Sequence, residues 1–234
     1  LSMNTTLIYD FLKAIAVNNN RQWFQEHKNE YQTARQEFET EATQLIRQIA
    51  SFDPTVAHLS VKDCVYRFNR DTRFSPDKSP YKRHFCVYIS AHGKKSLHGG
   101  YYVHIEPGQC ILAVGTYWLP TNILTACRNE IMANEEEWLR CVENPDFLHL
   151  FGSPDSATWE DAQGFGMTHL KTCPVGFPRD YAYLRYLRQK DYCCWRRVDD
   201  DFFAQPDWMQ RAIEIFKVAK PMMDFINSVV DDYE

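Results

Sequence analysis

The sequence predicts an α+β fold, a central antiparallel meander packed with N-terminal and C-terminal helices. Three observations carry this reading. Apolar residues recur every three or four positions over the first fifty residues and again from about Asp207 onward. Between about residues 61 and 114 the period shortens to two. The dipeptide Pro107-Gly108 then joins two alternating runs, as the turn of a hairpin does. With 234 residues, 44% hydrophobic and 15% aromatic, the chain is large enough to bury a substantial core, and it reads as a single domain over 1–234.

The elements follow in order. Leu7, Ile8, Phe11, Leu12 and Ile15 make one face of a first helix, which Asn18-Asn19-Asn20 interrupts. Phe24, Tyr31, Phe38 and Leu45, seven apart, with His27, Ala34, Ala42 and Ile49 beside them, give a second, longer helix. Asp53-Pro54 closes it, because the residue before proline is pushed out of the helical region. Cys64, Tyr66 and Phe68 form the apolar side of a first strand. Phe85, Val87, Ile89 and Ala91, then Tyr101, Val103 and Ile105, then Cys110, Leu112 and Val114 continue the meander. The opposite face collects Arg67, Asn69, His84, Tyr88, Tyr102 and His104, polar and aromatic together.

Beyond Pro120, Thr121 caps a helix with the stripe Ile123, Leu124, Cys127 and Ile131. A further helix starts near Asn134, where Glu135-Glu136-Glu137 suits the positive end of the helix dipole. Residues 152–179 read as loop with one strand near Met167–Lys171, Asp180–Lys190 as a short helix and Tyr192–Val198 as a strand. The last helix holds Pro221, expected to kink or split it.

Composition removes several function classes. The eight cysteines are scattered, no C-x-x-C pair exists, and the vicinal Cys193-Cys194 pair suits bridge geometry poorly. A reducing, cytoplasmic location is the expectation. No basic-then-apolar leader opens the chain and no apolar run approaches 18 residues, so no membrane partner is expected. A net charge of -5 and a pI of ≈ 5.9 argue against duplex nucleic acid. Familiar catalytic motifs are missing: no G-x-S-x-G, no H-E-x-x-H and no G-x-G-x-x-G, and Tyr88 stands where a P-loop at 88–95 requires glycine. His84, His92, His98 and His104 fall within twenty-one residues, but the pattern reads as surface or hydrogen-bonded histidines. No metal site and no cofactor are expected.

One stretch departs from this background. RFNRDTRFSPDKSPYKRH, residues 67–84, holds six of the 26 Lys and Arg beside two acids, Asp71 and Asp77. Phe68, Phe74, Tyr81 and Phe85 lie between the cations, and rings of this size are expected at least partly buried. Partly buried guanidiniums need partners, either internal acids or an anionic ligand matched to their planar fork. The residues alone leave both open. The chain is expected to turn at Asn69-Arg70-Asp71, making a constrained corner at a sheet edge.

The spacing Arg67, Arg70, Asp71, Arg73, Phe74, Ser75, Asp77, Lys78, Ser79, Pro80, Tyr81, Lys82 resembles the signature of a widespread bacterial family known as domain of unknown function 2461. Arg21, Trp23 and Phe24, Gly100-Tyr101-Tyr102-Val103-His104 with Glu106-Pro107-Gly108, Arg128 and Ile131, Pro174, Gly176 and Phe177, and Leu187 and Lys190 extend the resemblance over nearly the whole chain. It departs at Pro76, where a basic residue is common, and at Tyr181, where a histidine is expected. The resemblance implies one domain and marks the motif as important; it implies no activity.

The leading functional expectation is a small phosphorylated or otherwise anionic ligand held by Arg67, Arg70, Arg73 and Lys78, with Lys82 at the rim. Tyr81, Tyr102 or Trp23 would stack on an attached ring, Asp71 or Asp77 would orient the arginines, and His104 is the candidate general acid–base. The alternatives are an interaction module docking an acidic protein or single-stranded nucleic acid, and a structural salt-bridge network.

Overall fold

A computed structural model describes residues 3–154 and 160–234; residues 155–159, inside the expected loop, lie outside the described residues. The architecture is α+β. Helices α1 (Thr5–Val17), α2 (Arg21–Glu26), α3 (Lys28–Ala50) and α4 (Val61–Cys64) precede the strands β1 (Phe85–Ile89), β2 (Gly100–Ile105) and β3 (Ile111–Thr116). Then come α5 (Thr121–Ala133), α6 (Glu135–Val142), α7 (Pro145–Phe151), β4 (Gln163–Phe165), α8 (Leu184–Leu187), β5 (Tyr192–Arg197) and α9 (Trp208–Val230). The antiparallel sheet is ordered β1-β2-β3-β5-β4, so the meander stands and β5 follows β3.

The described residues form two compact units, one drawn from 3–94, 102–111 and 198–213, the other from 95–101, 112–154, 160–197 and 214–234. In the first, α1 buries Ile8, Phe11, Leu12 and Ile15, as the spacing requires. Asn20 caps α2 by accepting the Trp23 N–H at 2.9 Å. The expected long second helix is divided at His27, which ends α2 and opens α3 with non-helical φ -107°. An aromatic cluster fills this unit: Phe68 meets Phe11, Tyr31 and Phe85 at 5.7, 5.1 and 5.4 Å between centroids. Phe38 packs on Phe85 from α3 at 5.4 Å.

The expected strand at Cys64–Phe68 is not formed as such. Ser60 and Asp63 build a capping box that turns Val61–Cys64 into one helical turn, and only isolated bridges, Val65 to Val87 and Asn69 to Tyr81, continue the sheet. Cys64 and Phe68 are buried as expected, but Val65 is buried with them and Tyr66 is only partly so.

In the second unit Trp138 meets Tyr186 and Tyr192 edge-on at 5.5 and 5.6 Å, and Phe225 at 5.2 Å. Gly115, at φ +115°, permits close approach of β5: a Cβ there would lie 2.0 Å from the Tyr192 carbonyl oxygen. Several expectations need correction here. Pro120, not Thr121, occupies the cap of α5. The strand expected at Met167–Lys171 lies earlier, at Gln163–Phe165, paired antiparallel with Cys194–Arg196, while His169 makes only an isolated bridge to Gln189. The helix expected over Asp180–Lys190 shrinks to Leu184–Leu187. Pro221 does not split α9; burial of Met222, Met223, Phe225 and Ile226 outweighs the backbone bond it forfeits, a loss of about 3 kcal/mol. No helix among the described residues is long and apolar enough to cross a membrane.

Candidate functional site

Two charged regions lie in the first unit, and the structure separates what the sequence ran together. The first is the loop of the cationic motif. Its ends are zipped: the Arg70 N–H donates to the Pro80 carbonyl and the Lys82 N–H to the Phe68 carbonyl, both at 2.9 Å. Asn19 clamps Tyr81 from the helical side, donating to its carbonyl at 2.9 Å and accepting its N–H at 3.0 Å. Tyr81 is buried with its ring stacked on Phe24 at 4.0 Å. It belongs to the core, which corrects the expectation that it stacks on a ligand.

Within the loop the side chains answer one another. The Arg70 guanidinium donates to Asp77, to Ser79 Oγ at 2.7 Å and its carbonyl at 3.3 Å, and to Ser75 Oγ at 3.3 Å. Arg73 forms a fork onto Asp71, with contacts of 2.7 to 3.3 Å. Lys78 Nζ donates to the Thr72 carbonyl at 3.0 Å. Hydrogen bonds from Arg73 hold the Asp71 carboxyl down at about 2, and bonds from Ser79, then from Arg70, hold that of Asp77 well below the usual range. Phe74, expected to be partly buried, is 94% exposed, because the loop closes on its polar groups and leaves no apolar pocket to receive the ring.

The second region is the polar face of β1 and β2. Strand periodicity sends Tyr102, His104 and Glu106 to one side, and His84, immediately before β1, joins them. Tyr102 Oη and His104 Nδ1 are 2.9 Å apart, and His104 Nε2 and Glu106 Oε2 3.0 Å. His84 Nδ1 stands 3.6 Å from the same carboxylate oxygen, at ion-pair distance, and its ring lies 4.2 Å from that of His104. Cys86, two positions on from His84, shares this side of the strand. The side chains of His84, His104 and Glu106 are 25%, 13% and 22% exposed, sheltered yet open to solvent.

The groups perturb one another in opposite directions. Burial pushes the Glu106 carboxyl up, but the bonds and charges of His104 and His84 outweigh it and hold the group at about 2. Burial also lowers His84, yet Cys86 and Glu106 bring it above its ordinary value. His104 falls below its ordinary value, because burial and the neighbouring His84 outweigh Glu106. Lys82 lies within electrostatic reach of His104 and over the Tyr66 ring at 5.0 Å. Burial, with repulsion from Arg67 and Arg35, lowers its ammonium despite Cys86.

The structure thus brings Tyr102 and His104 together with Lys82 within electrostatic reach, and assigns Arg70, Asp71, Arg73, Asp77 and Lys78 to the loop's own network. Arg67 is exposed, with its charge felt by Asp71 and Lys82. Trp23 stacks on His27 at 3.9 Å. Sequence reasoning missed Glu106 as the residue that unites the face and passed over His84 as a site residue. The signal was there: His104 and Glu106 are two apart in a strand. In the second unit His98, from the same histidine run, is hydrogen-bonded, with Asp231 at 2.7 Å and Glu234 at 3.0 Å.

Comparison with known proteins agrees with the motif. The family model described as conserved hypothetical protein (DUF2461) matches residues 7–225. No curated protein and no solved structure gives a match.

Proposed function

The chain belongs to the conserved hypothetical protein family DUF2461, and we propose that it is an enzyme acting on a small phosphorylated or otherwise anionic ligand. The reactive centre in this reading is the polar face of β1 and β2, and the charges that draw the anion are Lys82 and Arg67. One observation carries it: a single carboxylate, Glu106, serves two histidines on a face left partly open to solvent, with a half-buried lysine within electrostatic reach of His104. Groups arranged this way handle protons, polarise a bound oxygen or coordinate a cation, whereas a purely solvated face gains nothing from such convergence. Arg70 and Arg73, already occupied by Asp77 and Asp71, shape the loop beside this face and are not the anion's ligands.

The second reading, a docking module, has one observation in its favour. Phe74 stands exposed at the loop with the Arg73 guanidinium 5.9 Å from its ring centre, a pairing on which an unpaired base could stack. One panel separates the two. Thermal denaturation of the wild-type chain with phosphorylated metabolites, nucleotides and a short single-stranded oligonucleotide should show stabilisation by a small anion. That shift should be lost in Arg67→Ala/Lys82→Ala and kept in Phe74→Ala. Stabilisation by the oligonucleotide alone, weakened in Phe74→Ala, selects the docking reading. A panel in which no compound shifts wild type more than the double variant removes the anion reading.

A further inference from the structure

We propose that His84, His104 and Glu106 form a binding site for one divalent transition-metal ion, with zinc, cobalt, manganese or iron(II) as the class of occupant. The assignment deepens the reading of this face as the reactive centre, and rests on it only for its chemical purpose, not for its geometry.

The geometry begins with three potential ligand atoms, one per residue, all within 4.8 Å of one another. Two atoms bound about 2.1 Å from a common ion lie roughly 3.0–3.4 Å apart at angles between octahedral and tetrahedral. The separations of Glu106 Oε2 from His104 Nε2 and His84 Nδ1, 3.0 and 3.6 Å, bracket that span. Rotamer adjustment that also brings the two imidazole nitrogens, within 4.8 Å of each other, into that span would admit the ion. Two imidazoles and one carboxylate are also a coherent donor set. They suit the borderline and harder first-row ions, and the exclusion of thiolate from the triad disfavours copper(I).

The surroundings support the assignment. A metal-bound histidine generally commits its second ring nitrogen to a neighbour, which fixes the tautomer and aims the ligating nitrogen. His104 does this: Nδ1 is engaged by the Tyr102 hydroxyl, leaving Nε2 to face Glu106 and His84. Three protein ligands with partial exposure also leave coordination positions for water or for an oxygen of an anionic ligand, the arrangement of catalytic rather than structural sites. Backbone placement adds precision, because His104 lies within β2, Glu106 immediately follows it and His84 immediately precedes β1.

The test uses metal alone. The full chain, stripped with chelator and dialysed, is titrated with zinc by calorimetry and with cobalt(II) by visible absorption. One ion per chain is expected, with cobalt d–d bands of a low-symmetry nitrogen–oxygen site. Glu106→Gln should weaken binding at least tenfold and His84→Asn/His104→Asn should abolish it, while Tyr102→Phe weakens it severalfold through the lost outer contact. His149→Gln, an exposed histidine on α7, should change nothing. Circular dichroism and melting of each metal-free variant separate loss of the site from loss of the fold, and the near-isosteric Glu106→Gln keeps the comparison usable if the double variant unfolds. Absence of stoichiometric binding to wild type, or equal affinity in wild type and a folded Glu106→Gln, overturns the proposal. Metal binding with an empty anion panel would sink the proposed function and leave this site standing; an anion hit without metal binding does the reverse.

Discussion

In the loop between Asn69 and Tyr81 each guanidinium has its own carboxylate, Arg70 with Asp77 and Arg73 with Asp71. On the face of β1 and β2 one carboxylate, Glu106, stands between two imidazoles. The loop is conspicuous in sequence and nearly self-satisfied in structure. The face is inconspicuous in sequence, and its residues meet only because β1 and β2 are neighbours. Density of charge along the chain therefore marks where a loop is built, and shortage of partners in space marks where chemistry can occur.

The comparison breaks most visibly if the loop is not anchored as described. Tyr81 joins the loop to the aromatic cluster, stacked on Phe24 and held by Asn19. Tyr81→Ala should cost about 3–5 kcal/mol in urea denaturation, the range for emptying a buried aromatic site. Tyr102→Phe, which keeps its ring and loses one hydrogen bond on the polar face, should cost only about 1 kcal/mol. Equal losses in the two variants would mean that the face is as structural as the loop.

A smaller effect tests the network itself. Arg70→Ala removes contacts to Asp77, Ser79 and Ser75 together and leaves the loop without its hub. The melting midpoint should fall by roughly 3–6 °C, while zinc affinity at the polar face stays within twofold of wild type. A tenfold loss of metal affinity in a folded Arg70→Ala chain would show that the loop and the face act as one site.

The same contrast explains what the sequence could and could not convey. Helical spacing located α1, α5 and α9 because their apolar stripes are long, and alternation located β1, β2 and β3. It failed at Val61–Cys64, where a four-residue capping box overrode the alternating pattern, and at His27, where one residue leaves helical geometry inside an unbroken heptad stripe. Periodicity reports which side faces the core and is silent on such local breaks. For the site, alternation placed Tyr102, His104 and His84 on one face. Glu106 was absorbed into the turn signal of Pro107-Gly108, and its union with His84 depends on strand pairing, which spacing alone does not encode. Phe74 misled for a related reason: a ring's preference for burial says nothing when the surrounding loop is held by polar contacts.

The smallest effect sharpens the comparison at one atom pair. Arg73 and Asp71 are exposed, so Arg73→Ala should lower the melting midpoint only slightly. Its consequence is electrostatic. The folded-state value of the Asp71 carboxyl, about 2, lies below its ordinary value of 3.8. The pair's contribution is thus fully present above about pH 4 and is lost as pH falls through about 2, where the carboxylate protonates. At pH 3 the wild-type Asp71 carboxyl carbon should report an ionised group by NMR, and the Arg73→Ala variant a mostly protonated one. Added salt at 1 M should move the wild type toward the variant, since screening acts on exposed pairs. An ionised Asp71 at pH 3 in the variant would transfer the cause from the Arg73 side chain to the backbone N–H of residue 73, which donates to the carboxylate at 3.2 Å and is kept by alanine, with Arg67 as the lesser contributor.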